Sequence, residues 1–306
     1  MANLTYEQFK KETALSIKNH LPEEYQDYNL KFQMIQKSGY EYEALLIEPK
    51  EKKGPNVIPA LNITNAFEEY LDGASFVDIM DKLADIRMNA KIPTFNERDI
   101  FDFNKIKDRI MPRLINTAWN EVYLENKPHT EIEDLSIMYA VRISEGKDNL
   151  ADAVISNDLL NIWNKTVQDL HDVAMSNIAE QRPLFCNLAA FMDFLNEKNY
   201  IDIDDVDPDD YDMPFFILTN KQKTKGAIMA ANPAVMDKIT DKFGKLYIIP
   251  SSTEEVIIVP QTAVDDVREL AKMVKSINES EVRPEDQLSN NVYEYDAESK
   301  SLCIVA

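Results

Sequence analysis

Residues 134–177 read DLSIMYAVRISEGKDNLADAVISNDLLNIWNKTVQDLHDVAMSN, and this stretch decides the fold class. Apolar residues occupy every second position from Leu135 to Val141, which predicts a half-buried strand. A turn around Gly146 leads to a second apolar run, and a helical pattern then continues to about Asn177. The stretch therefore predicts a β-hairpin followed by helices.

The same order of elements recurs on both sides of this stretch. The segment Ile63-Thr-Asn-Ala-Phe67 aligns with Ile155-Ser-Asn-Asp-Leu159, and each follows a predicted hairpin. A third, weaker copy consists of predicted strands Phe215–Thr219 and Ala227–Ala230 and a helix that begins at Asn232-Pro233. The chain therefore reads as repeated hairpin–helix units.

In each copy an asparagine stands where a strand is expected to end and a helix to begin: Asn65, Asn157 and Asn232. An asparagine side chain accepts a hydrogen bond from an amide of the first helical turn that otherwise lacks a partner. We therefore interpret these asparagines as helix caps rather than as functional residues.

Hairpins that alternate with helices favour an α+β protein with mainly antiparallel sheets over single parallel strands joined by crossover helices. A chain of 306 residues is longer than a typical single domain. We expect three hairpin–helix units: an N-terminal unit at 1–90, a central unit at 91–200 and a C-terminal unit at 201–306.

The last third carries the clearest pattern. Lys245–Val259 predicts an antiparallel hairpin whose strands are almost continuously apolar, so both of its faces should be covered. An apolar stripe at helical spacing predicts that a helix from about Val264 to Ile277 covers one face. The hairpin should therefore be central in its sheet. A second hairpin is expected from Asn291–Tyr295 and Ser301–Val305.

The chain is strongly acidic. Its 54 acidic residues outnumber 33 basic ones, which gives a net charge of −21. Such a surface repels nucleic-acid phosphates and anionic membranes, so we expect no direct contact with either. Two interpretations remain: a solvated acidic surface, or an acidic mimic of nucleic acid that inhibits a basic protein.

Cys186 and Cys303 are the only cysteines, too few for a disulfide framework or a cysteine-based zinc site. No apolar run approaches the roughly 20 residues that span a bilayer. The first residues lack a basic region followed by an apolar core, the pattern of a secretion signal. We therefore expect a cytoplasmic protein in a reducing compartment.

The usual cofactor motifs are missing from the sequence. Its six glycines are too far apart to form a phosphate-binding loop or a dinucleotide-binding turn. The His-Glu-x-x-His and Gly-x-Ser-x-Gly motifs are also missing. With three histidines in all, a zinc site would need carboxylates for most of its ligands. We expect no cofactor.

One group of residues is a weak candidate for catalysis: His129, Asp134, His171 and Asn177. If the strand after Asp134 packs on the helix that carries His171, an imidazole and a carboxylate could converge as general base and orienting group. No nucleophile is evident between them. The alternative is that these side chains satisfy backbone groups nearby.

The run Asp202–Asp212 is a weak candidate for metal binding through Asp202, Asp204, Asp205 and Asp207. It lacks the glycine of a calcium loop, and Met213 stands where the twelfth-position glutamate is required. We interpret the run as an exposed acidic connector, because so many carboxylates cannot all be buried and paired. Weak, nonspecific binding of divalent cations is the alternative.

Several segments resemble the bacterial domain of unknown function 5688 family: Trp119-Asn-Glu-Val-Tyr-Leu, Pro128-His129, Asp134-Leu-Ser-Ile, Leu170-His-Asp-Val-Ala-Met-Ser-Asn177, Tyr247-Ile-Ile-Pro-Ser-Ser-Thr-Glu-Glu-Val-Ile-Ile-Val-Pro260 and Asn291-Val-Tyr-Glu-Tyr-Asp296. The resemblance covers nearly the whole chain, and the last 60 residues are its most specific part. A more distant similarity is to the domain of unknown function 1444 family. The resemblance implies one continuous design and a bacterial cytosolic protein, and it brings no activity with it.

These observations favour a protein that acts by binding a protein partner through its surface. The alternative from another class is a metal-assisted hydrolase that uses carboxylates with His129 or His171. The positions of three side chains distinguish the binding protein from the hydrolase, because an enzyme should place His129, Asp134 and His171 around one concave pocket.

We predict that the Asp202–Asp212 run binds calcium no more tightly than about 10 μM, the weak end of sensor affinities. Calorimetric titration of the full chain with calcium measures this. Replacing the aspartates with asparagine should leave the fold intact, as expected of a solvated loop. A submicromolar site lost in that variant would establish a metal site instead.

Overall fold

A computed structural model describes residues 4–51, 58–90, 97–146, 149–179, 181–188, 202–207, 215–250 and 252–306. The chain divides into two compact units, Met1–Glu97 and Arg98–Ala306. The division into three units with boundaries after residues 90 and 200 stays a prediction. All strand pairings among the described residues are antiparallel, so the α+β class with mainly antiparallel sheets is confirmed.

The first unit is a three-stranded sheet, in the order β1-β2-β3, with helices around an aromatic core. Its elements are α1 (Tyr6–Ser16), β1 (Asn29–Lys37), β2 (Tyr40–Glu48), β3 (Ala60–Asn62), α2 (Ile63–Leu71) and α3 (Phe76–Asn89). Thr5 and Gln8 form a reciprocal capping box that starts α1. The fully buried Phe9 of that helix contacts the rings of Phe67, Tyr70 and Phe76.

The second unit begins with a four-stranded sheet built around one long strand. Its elements are α4 (Phe103–Ile106), β4 (Ile110–Asn116), α5 (Glu121–Leu124), β5 (His129–Ile132), β6 (Leu135–Gly146), β7 (Asn149–Val154), α6 (Asn157–Ile162) and α7 (Val167–Ala179). Strand β6 pairs with β4, β5 and β7. The hairpin and following helices predicted from residues 134–177 are confirmed.

A six-stranded sheet follows, in the order β13-β12-β10-β11-β9-β8. Its elements are β8 (Pro183–Asn187), β9 (Phe216–Asn220), α8 (Pro233–Phe243), β10 (Leu246–Ile249), β11 (Val256–Pro260), α9 (Val267–Glu281), β12 (Tyr293–Asp296) and β13 (Ser301–Ile304). The predicted hairpin β10–β11 is confirmed and lies in the middle of the sheet. The closing hairpin β12–β13 is confirmed as well.

Helix α9 covers this hairpin as expected, but over a shorter apolar stripe. Leu270 and Val274 are 6% and 4% exposed and pack against Ile249 and Val259. Ile277, which was expected in the stripe, is 45% exposed. The buried position one turn after Val274 is Asn278, whose side-chain amide donates to the Ser289 carbonyl at 3.0 Å.

Two of the three predicted asparagine caps are wrong by a few residues. Asn62 caps α2 and accepts from the Asn65 amide at 2.9 Å, because β3 is short and the helix begins at Ile63. Ser156 caps α6, and Asn157 is the first residue of that helix. Asn232 is confirmed as the cap of α8, with Pro233 in its first turn.

The third copy of the repeat has a different structure. The predicted strand Ala227–Ala230 lies within a buried 3₁₀ helix, Gly226–Ala231. Strand β9 pairs with β8 and β11 instead. The repeat of hairpin–helix units is therefore not confirmed, although its first two copies do contain a hairpin followed by helices.

We predict that Leu270→Ala destabilises the protein by about 2–5 kcal/mol, because it leaves a cavity under α9. Ile277→Ala, on the same helix but largely exposed, should change stability by less than about 1 kcal/mol. Thermal melts of both variants measure the difference. Equal melting temperatures would show that Leu270 does not belong to the core.

Candidate functional site

Asp134 lies at the turn between β5 and β6, and its carboxylate is the centre of a polar network. Its Oδ2 accepts from Ser289 Oγ at 2.8 Å and from Asn291 Nδ2 at 3.0 Å. Its Oδ1 accepts from the hydroxyl of Tyr293, a residue with no exposed surface. These donors stand at the entrance to β12, so Asp134 connects the four-stranded sheet to the six-stranded sheet.

Asn116, at the end of β4, extends the network. Its Nδ2 donates to the Leu288 carbonyl at 2.9 Å and reaches Asp134 Oδ2 at 3.5 Å. Its Oδ1 accepts from the backbone amide of Trp119 at 3.0 Å. The Asp134 carbonyl accepts from the Thr117 amide at 2.9 Å. Through these bonds the network fixes the backbone that leads into α5.

Burial raises the pKa of Asp134 above its ordinary value. The hydrogen bonds from Ser289 and Asn291 act in the opposite direction, because they stabilise the charged form. The ionised carboxylate therefore sits in a partly desolvated place, where its neighbours only partly compensate for the lost water.

His171, on α7, belongs to a different contact. Its Nδ1 lies 2.9 Å from the hydroxyl of Tyr139, which in turn lies 2.7 Å from Thr130 Oγ1. Burial raises the pKa of Tyr139 to about 12, so the phenol is neutral at physiological pH. The chain of three polar groups connects α7 to the β5–β6 hairpin.

His129 and Asn177 also have partners of their own. His129 Nδ1 lies 2.9 Å from the Lys127 carbonyl, and its Nε2 lies 3.9 Å from Glu131. Asn177 donates to the carbonyls of Lys107 and Ile110 at 2.7 and 2.8 Å. Among the described residues no hydrogen bond joins His129, Asp134 and His171 to one another. Catalytic roles for these four residues stay predictions.

The first part of the acidic run contains a short 3₁₀ helix, Ile203–Asp205. The side chains of Ile203 and of Val206, which follows the helix, are buried. Asp202 accepts from Arg182, and Lys242 donates to the carbonyls of Ile203 and Asp204. The carboxylates of Asp204, Asp205 and Asp207 are exposed. Residues 208–212 lie outside the described chain. Within the described ranges no three His, Cys, Asp or Glu side chains are placed to hold a metal ion.

A narrow pocket lies where β4, β6, β7 and the end of α7 approach the segment after β9. Its charged wall consists of Arg113, Arg142, Asp152 and Lys225. Arg113 and Asp152 form an ion pair with side chains 18% and 5% exposed. Burial lowers the pKa of Arg113, although an arginine remains charged.

Lys225 is fixed in this wall by Glu254. Its Nζ donates to Glu254 Oε1 at 2.8 Å and to Thr253 Oγ1 at 3.0 Å, and its amide donates to Glu254 Oε2 at 3.0 Å. The next residue must be glycine. A Cβ at Gly226 would lie 2.6 Å from the Glu254 carbonyl oxygen and would overlap Thr219.

Near the Asp134 network, the surface carries two exposed apolar side chains. Trp119 is 48% exposed and Val122 is 71% exposed, on a short helical segment whose Tyr123 and Leu124 are buried. Glu121 and Glu125 are exposed beside them. We call Trp119, Glu121, Val122 and Glu125 the Trp119 surface.

The model of one protein family, described as a family of unknown function (DUF5688), matches residues 6–297 of the 306-residue chain. The chain belongs to this family. The resemblance seen in the sequence is thereby confirmed, while the more distant similarity to the domain of unknown function 1444 family stays a prediction. No curated protein and no solved structure matches the chain.

The pocket of this DUF5688 chain was missed from the sequence, although one signal for it exists. Arg113 is the only charged residue in the strand IMPRLIN, and Asp152 is the only one in the run ADAV. A charge inside a strand that is otherwise apolar indicates a buried partner.

Among the described helices, none combines the length and apolar character needed to cross a bilayer.

Because burial raises the pKa of Asp134, we predict that its contribution to stability is largest at low pH. The folded state holds this proton more tightly than the unfolded state, whose aspartate pKa is about 4. The free energy of unfolding of the wild type, relative to Asp134→Asn, should therefore fall as pH rises above about 4 and become constant once the pH exceeds the folded-state pKa.

Urea unfolding of the wild type and of Asp134→Asn at a series of pH values from about 4 upwards measures the effect. Subtracting the two free energies of unfolding removes the contributions of the carboxylates that both proteins carry. Glu131→Gln, at an exposed position on β5, is the matched control for the loss of one carboxylate from the same hairpin. A difference that rises with pH would mean that the hydrogen bonds of Asp134 outweigh its burial.

Proposed function

We propose that the protein acts by binding a protein partner, and that the Trp119 surface is the place of contact. The observation that carries this proposal is the exposure of Trp119 and Val122, at 48% and 71%, three residues apart in a short helical segment. Isolated exposed apolar residues are ordinary, but an exposed tryptophan beside another apolar side chain favours an interface.

The backbone beneath this surface is held in place. Asn116 accepts from the Trp119 amide at 3.0 Å, and Asn120 Nδ2 donates to the Asn116 carbonyl at 2.8 Å. Asn116 and Asn120 are 3% and 5% exposed. A preorganised segment loses less conformational entropy when a partner binds, and tryptophan is enriched among the residues that dominate binding energy.

The charges around Trp119 indicate the chemistry of the partner. Glu121 and Glu125 are exposed, whereas the nearby Lys127 donates to the Tyr123 carbonyl and lies 3.9 Å from the centre of the Tyr123 ring. The surface is therefore acidic and aromatic. It suits a partner segment that places lysine or arginine beside an apolar side chain, since a cation also binds the face of a tryptophan ring. The net charge of −21 would steer such a segment towards the protein.

The metal-assisted hydrolase is less well supported by the contacts. His129, Asp134 and His171 each have separate partners, and those partners account for their positions without a substrate. The acidic mimic of nucleic acid remains a rival among binding functions. It would use dispersed carboxylates and would not depend on Trp119.

Intrinsic fluorescence tests the proposal, because Trp119 and Trp163 are the only tryptophans and Trp163 is 7% exposed. The probe is a soluble peptide of lysine, arginine and leucine, and its control is the same peptide with glutamate in place of the basic residues. We predict a saturable change in tryptophan emission with the basic peptide alone. Trp119→Phe should abolish the change.

The matched variants are Val122→Ser on the Trp119 surface and Met273→Ser on α9, where Met273 is 56% exposed. Calorimetry should show affinity for the basic peptide reduced about tenfold by Val122→Ser, a change of about 1.4 kcal/mol, and unaltered by Met273→Ser. Equal affinities in all three proteins would overturn the proposal. The acidic mimic would explain the result instead if Trp119→Ala still binds the basic peptide and the binding disappears at about 0.5 M salt.

A further inference from the structure

Strand β1 (Asn29–Lys37) forms a long and regular edge of the first sheet. Among the strands that the structure describes, β2 alone is hydrogen-bonded to β1. The nine residues of β1 contain no proline or glycine, and they pair with β2 at nine consecutive positions without a bulge. The opposite edge, β3, is three residues long and runs directly into α2. Because edge strands are usually kept short, bulged or interrupted by proline, an edge such as β1 is a template for a further strand.

The turn after β1 decides which of its backbone groups face outwards. Ser38 and Gly39 form a two-residue turn. The pair beside the turn, Lys37 and Tyr40, is therefore hydrogen-bonded, and bonded and non-bonded pairs alternate from there along the ladder. The odd-numbered residues of β1 bond to β2, and the even-numbered ones present their amides and carbonyls to the outer edge: Leu30, Phe32, Met34 and Gln36. An extended segment can bond to all four.

The charges of β1 indicate the chemistry of such a segment. Lys31 and Lys37 are the only charged residues of the strand, and both are exposed. They lie on the same face of the sheet, because successive side chains of a strand alternate between the faces. Lys31 donates to the neutral Gln33 amide at 2.9 Å. Opposite charges on neighbouring strands stabilise a sheet, so an acidic segment is favoured. A second copy of β1 would bring two more cations and no carboxylate.

The carboxylates of β2 do not cancel these charges. The register places Glu41 and Glu43 on the face opposite to the lysines, where Glu43 pairs with Lys10 at 2.8 Å. Glu48 shares the face of the lysines and stands diagonally across from Lys31, at the end of the hairpin far from the turn. Two lysines and one carboxylate leave that face with a net positive charge.

The other face of β1 is apolar at its middle. Met34 is 54% exposed, and the half-buried ring of Phe32 lies under Lys10, whose Nζ is 5.3 Å from the ring centre. A segment paired with β1 would place its side chains alternately on the two faces. Its acidic residues would then lie on the face of the lysines, and its apolar residues on the face of Met34.

We propose that the outer edge of β1 binds an extended segment of another protein in which acidic and apolar residues alternate. The segment adds a fourth strand to the sheet, so that main-chain hydrogen bonds supply affinity and alternate side chains supply specificity. This edge differs in chemistry from the Trp119 surface, which suits a basic segment. The proposal does not depend on that surface.

Amide hydrogen exchange of the full chain, followed by NMR at low ionic strength, tests the proposal. The probe is the end-blocked peptide Glu-Val-Glu-Val-Glu-Val-Glu, and its control is the same peptide with lysine in place of glutamate. At ten times the dissociation constant of the acidic peptide, the four outward amides should exchange about tenfold more slowly, because exchange then takes place in the unbound fraction. The amides already bonded to β2 should change little.

Two variants of Met34 separate the backbone from the side chain. Met34→Pro removes an outward amide at an edge position, where proline is tolerated, and should abolish binding of the acidic peptide. Met34→Ala keeps that amide, and its affinity should stay within about threefold of the wild type. If Met34→Pro fails to fold, the exchange measurement on the wild type still decides the matter.

A matched pair of double variants tests the charges. Lys31→Gln with Lys37→Gln should weaken binding of the acidic peptide about fivefold, as expected from two exposed ion pairs. Arg268→Gln with Lys275→Gln removes the same charge from exposed positions on α9 and should leave the affinity unaltered.

Three results would overturn the proposal. The first is equal binding of the acidic and the basic peptide, and the second is binding that leaves the four outward amides unprotected. The third is the lack of saturable binding at about 1 mM acidic peptide, a concentration that half fills even a site of only about −4 kcal/mol. If a thymidine oligonucleotide binds instead of the peptide, the lysines serve a nucleic acid and the proposal is equally wrong.

Discussion

The second unit depends on a half-buried carboxylate that joins its two sheets. Asp134 belongs to the four-stranded sheet, and its donors Ser289, Asn291 and Tyr293 precede or begin the neighbouring strand β12 of the six-stranded sheet. Removing one partner from such a network leaves the others buried and unpaired, which costs more than a single bond contributes. The same network holds Asn116, and Asn116 holds the Trp119 amide. The position of the proposed binding surface is therefore a consequence of how the sheets are joined.

The parts of the fold that could be predicted from the sequence are those whose cause is local. Alternation from Leu135 to Val141 and the apolar runs of Lys245–Val259 arise because one or both faces of a strand are buried, and that cause is visible in the sequence. The helix caps were predicted three residues late at Asn65 and one residue late at Asn157. Asn62 and Asn65, and likewise Ser156 and Asn157, can all cap a helix, and the sequence does not decide between the members of each pair. The segment Ala227–Ala230 was assigned to a strand because it is apolar. In the structure it forms a 3₁₀ helix, and the amides of Gly226 and Ala227 donate to the carbonyls of Glu254 and Thr253, which lie far away in the sequence.

The site could be predicted only in part, because its contacts join residues that are far apart in the sequence. Asp134 was singled out, but its partners lie 155 to 159 residues further along the chain, and no periodicity reports such a contact. Its role was expected to be shared with His129 and His171, whereas each of these side chains is bonded to its own neighbours. Arg113 and Asp152 are the opposite case, because the sequence indicates that each is paired although neither was singled out. Each is an isolated charge in an apolar run, which indicates that a partner exists but not which residue it is.

The charge of the whole molecule affects the approach of a partner to the Trp119 surface differently from the lifetime of the complex. The Trp119 surface is exposed, so the field of the many acidic residues acts there within a screening length of about 8 Å at physiological salt. The association rate of a basic partner should therefore fall as salt rises, while burial of Trp119 continues to set how long the complex lasts.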